Sequence, residues 1–333
     1  MSSEQHGVQY LDTDERSVGQ RLDNFLLTRL KGVPRSRIYR LIRKGEIRVN
    51  RKRCKPDQRL QGGDTVRVAP LRQRTPAKVP GISPRLRALL EDSILEENER
   101  FLVINKPAGL AVHLGSGVDI GLIEALRQLY AEDRALELVH RLDRDTSGCL
   151  LVARDSGMLK CLQDLWRKRR VNKTYQALVA GHWPDDCAEV DAPLQRDQLQ
   201  AGERIVRIDR DGKPALTRFR VLERLRSATL IEASPVSGRT HQIRVHAQYA
   251  GHPILGDSKY LFRDSDPHPR INRLCLHAAR LSFVLADGDG ADRQYQFQAP
   301  LPERFQELLA ELRETENPKI ILSPRSRRRA CHD

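Results

Sequence analysis

The sequence predicts an α+β protein of two domains, a small helix-and-strand domain near the N-terminus and a larger one with a mixed, largely antiparallel sheet flanked by helices. The chain has 333 residues, too many for one ordinary small domain and enough for one large core plus a minor one. Residues 16–74 hold 18 Lys/Arg against 4 Asp/Glu, which separates a strongly basic segment from the rest. In the remainder several strand-like runs follow one another with no helix between them, as across 216–234. That order disfavours a purely parallel, doubly wound sheet.

Taken in chain order, the first helix is suggested by Leu22, Phe25, Leu26 and Leu30. In PRSRIYRLIRKG, Pro34 to Gly45, Ile38, Leu41 and Ile42 fall on one helical face while Arg37, Arg40, Arg43 and Lys44 fall largely on the other, an amphipathic helix with a cationic outer side. Two strands follow at Ile47–Asn50 and Thr65–Val68, with Gly62-Gly63 supplying the turn before the second. This small domain is placed at 16–70. Residues 71–90 are rich in Pro, Arg and Lys and are expected to be a linker. The larger domain is placed at 91–313, with strands at FLVIN, LLVA, TYQALVAG, TRFRVLERL, ATLIEA and LSFVL and helices near 120–130, 156–168, 240–250 and 302–313. The arginine-bearing tail, 317–333, is expected to be disordered.

The formal net charge is +14 with a pI near 9.8. A surplus concentrated in one short segment points to a polyanionic partner, nucleic acid before membrane. No apolar run approaches the roughly 18 residues of a membrane helix, and the N-terminus lacks the basic-then-apolar order of a signal peptide; a cytosolic protein is expected. The six cysteines are scattered with no CxxC pair, so neither a disulfide framework nor a zinc knuckle is indicated. His241 and His246 lie five apart with no carboxylate or thiol completing a metal-ligand spacing, and the GSG of 115–117 lacks the GK[ST] of a phosphate-binding loop. No metal and no nucleotide cofactor is expected.

The densest chemistry is in HRLDRDTSGCLLVAR, His140–Arg154, where a loop crowded with charge runs into an apolar strand. Asp143 and Asp145 flanked by Arg141 and Arg144 could be a structural salt-bridge knot. HRLDxxTSG, however, is the signature of the pseudouridine synthases that act on large ribosomal RNA and related substrates, and the chain resembles that family through the whole motif. INKPAGLAVH (104–113), Lys173-Thr174-Tyr175 and SGRTHQIRVH (237–246) resemble it in order and approximate spacing. The order of elements across 16–70 is similar to the S4 RNA-binding domain, and GERIVR followed by GKPALTRF is most similar to the multi-site synthase C type of the family.

The resemblance implies conversion of uridine to pseudouridine in large-subunit ribosomal RNA without a cofactor; a monomer is expected, and naked RNA and a precursor particle both stay open as the form of the substrate. It implies that Asp143 is the nucleophile, whether it attacks the ribose C1′ or the uracil C6 or initiates an elimination. Arg244 would keep that carboxylate charged, since a buried carboxylate without a cation tends to neutralise. Tyr175 would pack on the target uracil, and Arg141 would fill the place of the flipped base. Arg239 and Lys106 are expected to meet RNA phosphate, as are Arg37, Arg40, Arg43 and Lys44 of the basic helix. Two rivals are weighed: a synthase of the same fold acting on transfer RNA, and a catalytically silent RNA-binding assembly factor. The joint presence of Asp143, Tyr175 and Arg244 argues against the second.

Overall fold

The computed structural model describes residues 3–14, 17–30, 33–74, 80–114, 120–131, 135–198, 204–261, 271, 273–286 and 290–314. The tail expected over 317–333 lies outside the described residues, as do 75–79 of the expected linker and the GSG of 115–117. The chain forms two units, Met1–Val79 and Pro80–Asp333.

The first unit runs β1 (Ser3–His6), β2 (Gln9–Asp12), α1 (Leu22–Arg29), α2 (Arg35–Lys44), β3 (Ile47–Val49), β4 (Lys52–Arg53), β5 (Thr65–Val68) and β6 (Leu71–Arg74). β2, β5, β3 and β4 make one sheet in that order, and β1 pairs with β6 in a second. Apolar residues of the two helices meet Ile47, Val49, Val66 and Val68 in a single core. Asp23, buried at the start of α1, receives Arg21 through Nε and Nη2 at 3.1 and 2.9 Å and the Tyr39 hydroxyl of α2 at 2.5 Å. The Arg21 bond, with burial opposing it and Tyr39 assisting, holds the Asp23 carboxyl well below the usual range. α2 ends because Gly45 takes φ +74° and turns its N–H back to Ile42 O, a left-handed cap that glycine enters without a Cβ penalty. Arg40, Arg43 and Lys44 are exposed. Arg37 departs from the expected outer face: it is half-buried, and its Nε has no partner among the described residues.

The second unit runs α3 (Pro84–Glu91), β7 (Ile94–Glu97), β8 (Phe101–Lys106), α4 (Leu122–Leu129), β9 (Glu137–Leu138), β10 (Ser147–Ala153), α5 (Ser156–Arg167), β11 (Val171–Ala180), β12 (Glu189–Asp191), β13 (Leu194–Gln198), β14 (Arg204–Ile208), β15 (Leu216–Arg224), β16 (Ala228–Pro235), α6 (Gln242–Tyr249), β17 (Leu276–Ala286), β18 (Asp292–Gln298) and α7 (Glu303–Glu314). Ten strands form one sheet in the order β12-β15-β16-β11-β17-β10-β8-β7, with β18 added beside β17 and β9 beside β10. Only β10 and β17 pair in parallel among its pairings, so the sheet is mixed and largely antiparallel.

Strand alternation explains the layers. Leu102, Ile104, Leu150 and Val152 of β8 and β10 face one way and join α4 through Ile123 and Leu126. Phe101, Val103, Cys149 and Leu151 face the other way and join α5 through Met158 and Leu162. β10 is therefore buried on both faces along all seven residues, and after Ser147 it reads as one apolar run. α6 and α7 pack together with β11, β15 and β16 in a third core.

The expected linker is shorter than 71–90. Leu71–Arg74 is a strand, and Pro84–Glu91 is a helix whose Ser83 cap accepts from Leu86 N–H. Pro84 at the first helical position needs no amide partner there. No described helix is long and apolar enough to cross a membrane.

Candidate active site

The loop 140–146 is held rigidly between β9 and β10. At its start His140 accepts Leu151 N–H on Nε2 at 3.1 Å and stacks on Trp166 at 4.6 Å. Burial, reinforced by Lys173, pushes His140 down to about 3, so it stays the neutral acceptor this bond needs. At the other end the glycine of TSG is required by space. Gly148 has φ +111°, and a Cβ there would lie 2.3 Å from the carbonyl oxygen of Ala278 on β17. Ser147 Oγ stands 2.9 Å from Nδ1 of His277, whose Nε2 lies 3.1 Å from Ala299 O. Because a carbonyl only accepts, Nε2 carries the ring proton and Ser147 donates to Nδ1.

Lys106 is placed differently from the expectation that it contacts phosphate. It is fully buried, and its Nζ donates to the carbonyls of Pro107, Leu110 and Arg144 at 2.7, 2.9 and 3.0 Å. All three ammonium protons are used inside the protein. Arg144 Nε also donates to Gly109 O, and Gly109 N–H to Arg144 O, each at 2.9 Å. Lysine and arginine together fasten the KPAG loop to the HRLDRD loop. Burial pushes Lys106 down to about 7, partly offset by Asp145 and Asp143.

Asp143, Arg141, Tyr175, Arg239 and Arg244 line one cavity of about 250 Å³, which Lys173, Trp166 and His241 also border. Segments far apart in sequence supply these groups: the 140–146 loop, the end of α5, β11, the turn leading into α6 and the first turn of α6 itself. Lys173 and Tyr175, two apart on β11, face the cavity together. Arg141 is exposed at its rim, and Arg239, also exposed, donates to Pro214 O at 3.3 Å. Arg239 lies before α6 rather than on it, since that helix begins at Gln242 and not at 240. Arg37, Arg40, Arg43 and Lys44 belong to the other unit.

Arg244 sits in the first turn of α6, 4% exposed, with Nη1 3.9 Å from Asp143 Oδ2. Its principal partner is Asp257, which takes Nε at 2.7 Å and Nη2 at 2.6 Å. Asp257 also receives the backbone N–H groups of Lys259 and Tyr260 at 3.0 and 3.2 Å. Burial opposes the guanidinium charge, but the bond to Asp257 and the attraction of Asp257 and Asp143 outweigh it and hold Arg244 above its ordinary value. The Tyr260 ring lies under the guanidinium at 5.1 Å. Burial first, then Asp143 and Cys149, push the Tyr175 phenol well up; it remains protonated.

Three members of this site were not legible beforehand. Asp257 and Tyr260 stand in a turn, GDSKY, with no recognisable pattern. His241 sits inside a recognised motif, yet its Nε2 is 3.8 Å from Asp143 Oδ2. Among the described residues no cluster of His, Cys, Asp or Glu could hold a metal ion. The arrangement offers a carboxylate beside a fixed cation and an aromatic wall in a concave site, a combination suited to covalent or acid–base work on a planar ring.

The family model described as RNA pseudouridylate synthase matches residues 100–249, and the S4 domain model matches 20–66. The chain is 49% identical over 320 residues to ribosomal large subunit pseudouridine synthase C of Escherichia coli (strain K12), covering 94% of this chain and 99% of that protein. It is 50% identical over 312 residues to the protein of that name from Pasteurella multocida (strain Pm70), covering 92% and 94%. Among solved structures, human RNA pseudouridylate synthase domain containing 4 superposes with a TM-score of 0.56 at 30% identity, over 69% of this chain and 96% of that one.

Proposed function

The chain belongs to the RNA pseudouridylate synthases and carries an N-terminal S4 domain; from that premise we propose that it converts specific uridines of large-subunit ribosomal RNA to pseudouridine, with Asp143 as nucleophile. The observation that carries this reading is the convergence of Asp143, Tyr175 and Arg244 on one cavity. Its substrate is inferred from the names of the relatives at 49–50% identity over nearly their whole length.

The reaction exchanges a glycosidic C–N bond for a C–C bond with no net redox change, so the residues present supply what it needs: a nucleophile, a place for the detached ring and a means of turning it. A stacked uridine cannot expose C1′, C5 and C6, so the nucleotide is extruded at a cost of roughly a few kcal/mol. Arg141, exposed beside the nucleophile, is suited to occupy the vacated place. Tyr175, neutral and largely enclosed, offers a face to the uracil and a hydroxyl to its edge. Arg244, immobilised by Asp257, keeps a positive charge near Asp143 without enclosing it. Arg40, Arg43 and Lys44 on α2 are free to take phosphates, while Lys106 serves by fixing the two loops. We place the activity in the cytosol, carried out by a monomer.

The test is mapping of chemically derivatised pseudouridine in ribosomal RNA from cells lacking the protein, with wild-type or Asp143→Asn copies restored. Specific large-subunit sites should vanish and return only with the wild type. Restoration by Asp143→Asn would refute the nucleophile, and unchanged large-subunit RNA would refute the substrate.

A further inference from the structure

One phenol hydroxyl determines where the proton on His241 resides. Tyr260 is 4% exposed. Its Oη receives Val206 N–H from β14 at 3.0 Å and stands 2.7 Å from His241 Nδ1. A backbone amide can only donate, so the first bond uses an acceptor position on Oη. For the second, either Tyr260 donates to Nδ1 or Nδ1–H donates to Tyr260. In the latter case the phenol proton has no acceptor among the described residues, and an enclosed hydroxyl left without one is disfavoured. The proton therefore runs from Oη to Nδ1. Burial, partly offset by Asp143, pushes the imidazole down to about 4, so the neutral ring carries its one proton on Nε2. That nitrogen is the one 3.8 Å from Asp143 Oδ2.

The backbone around His241 is held as firmly as its ring. His241 has φ +54°, a left-handed conformation that a non-glycine residue keeps only when its surroundings enforce it. On one side, Arg196 of β13 donates to Thr240 Oγ1 at 2.6 Å. On the other, the Gln242 amide donates to Leu216 O and Thr217 Oγ1, each at 2.9 Å, and its oxygen accepts Arg239 N–H and the Ser237 hydroxyl at 3.0 and 2.7 Å. The hairpin β13–β14, which includes the IVR of GERIVR, thus holds His241 both through Thr240 and through Tyr260.

We propose that His241 is a positioning residue, a neutral Nε2–H donor that orients the Asp143 carboxylate for attack, with its tautomer dictated by Tyr260 and the β13–β14 hairpin. The proposal rests on Asp143 being the nucleophile. Both Arg244 and His241 approach the same oxygen, Oδ2, which leaves Oδ1 to the substrate. At 3.8 Å the histidine contact is not yet a hydrogen bond; a shift of the carboxylate by about 1 Å on RNA entry closes it. A neutral donor orients the anion while withdrawing less of its charge than a second cation would.

The experiment combines ¹⁵N-histidine NMR of the full chain at pH 7.5 with steady-state kinetics on an RNA substrate. In the wild type the His241 Nε2 should read as protonated and Nδ1 as bare; in Tyr260→Phe that preference should be lost. His241→Leu should lower kcat about 100-fold with KM within about threefold. His241→Gln, whose amide N–H can reach the same carboxylate, should recover about 10-fold of that loss. A wild-type ring protonated on Nδ1 overturns the relay whatever the kinetics. Wild-type kcat in His241→Leu, or equal losses in the Leu and Gln variants, overturns the donor role. Turnover by Asp143→Asn would remove the nucleophile on which the proposal rests, while the NMR readout would still report the tautomer by itself.

Discussion

Replacing Asp257 with asparagine isolates the arrangement that keeps a cation beside Asp143. Asp257 is 2% exposed and accepts four donors: two from Arg244, at 2.7 and 2.6 Å, and the backbone amides of Lys259 and Tyr260. Asparagine is nearly the same size, but it removes the negative charge and turns one acceptor into a donor facing other donors. Arg244, 4% exposed, then holds a buried charge whose remaining carboxylate is Asp143 at 3.9 Å. Breaking one side of a buried, hydrogen-bonded pair costs about 3–5 kcal/mol. For a domain of this size each kcal/mol shifts Tm by about 2–4 °C, so a fall on the order of 10 °C is expected.

Catalysis should fall for a separate reason. Released from Asp257, the guanidinium gains by moving onto Asp143, occupying the oxygens proposed to attack the substrate. kcat should drop with KM for RNA little changed. Calorimetry on Asp257→Asn, Arg244→Met and the double variant separates these effects. The double variant should be more stable than the sum of the single losses predicts, by about 1–3 kcal/mol, because it leaves no unpaired buried charge. A Tm within about 3 °C of wild type for Asp257→Asn, or additive losses in the double variant, would refute the argument.

Two further outcomes follow from the same reasoning. Lys106→Met should orphan the Pro107 and Leu110 carbonyls, leave Arg144 O with Gly109 N–H alone, lower stability by about 3 kcal/mol and reduce kcat; the salt dependence of RNA binding should stay the same, whereas a lost phosphate contact would reduce its slope by about 0.7–0.9. His140 and His241 are pushed down to about 3 and about 4 from the ordinary value near 6.5, so from pH 6.5 down towards 4 the unfolded chain binds protons that the folded one refuses. Stability present above pH 6.5 is lost through that window, by about 1–2 kcal/mol per histidine at pH 5. Thermal unfolding at pH 7.5 and 5.0 measures the loss; a flat profile contradicts the neutral, enclosed rings, and His140→Phe should lessen the dependence.

What was legible in the sequence follows from how local the determining interactions are. α2 could be read because Ile38, Leu41 and Ile42 obey a helical period, and β8, β10 and β11 because apolar residues dominate them. β18, DRQYQFQ, is polar at five of seven positions and owes its place to Tyr295 and Phe297 joining the aromatic cluster of Phe101 and Phe283. The β13–β14 ribbon is similarly charged and short, and its pairing of Asp197 with Ile205 answers to no periodic pattern. α3 did carry a start signal, Ser83-Pro84, but its arginines made the segment resemble a tether. Asp143, Tyr175 and Arg244 were singled out by motif and line one cavity, while the misplacement of Lys106 came from assuming that a lysine near a charged loop faces solvent.

Asp257 shows why the remaining part of the site could not be read from sequence spacing. Its distance in sequence from Arg244 has no helical or strand meaning, and the pair meets because α6 and the turn before β17 are brought together by the fold. Yet the proposed chemistry requires some such residue. A guanidinium buried with Asp143 as its sole partner would be drawn into a close bidentate pair, and a nucleophile bound that way has no oxygen free. Asp257 takes the two nearest bonds and leaves Nη1 at 3.9 Å from Asp143, which preserves the positive field without capping the carboxylate. A buried arginine assigned to keep a catalytic carboxylate charged therefore implies a second, structural carboxylate on its far side.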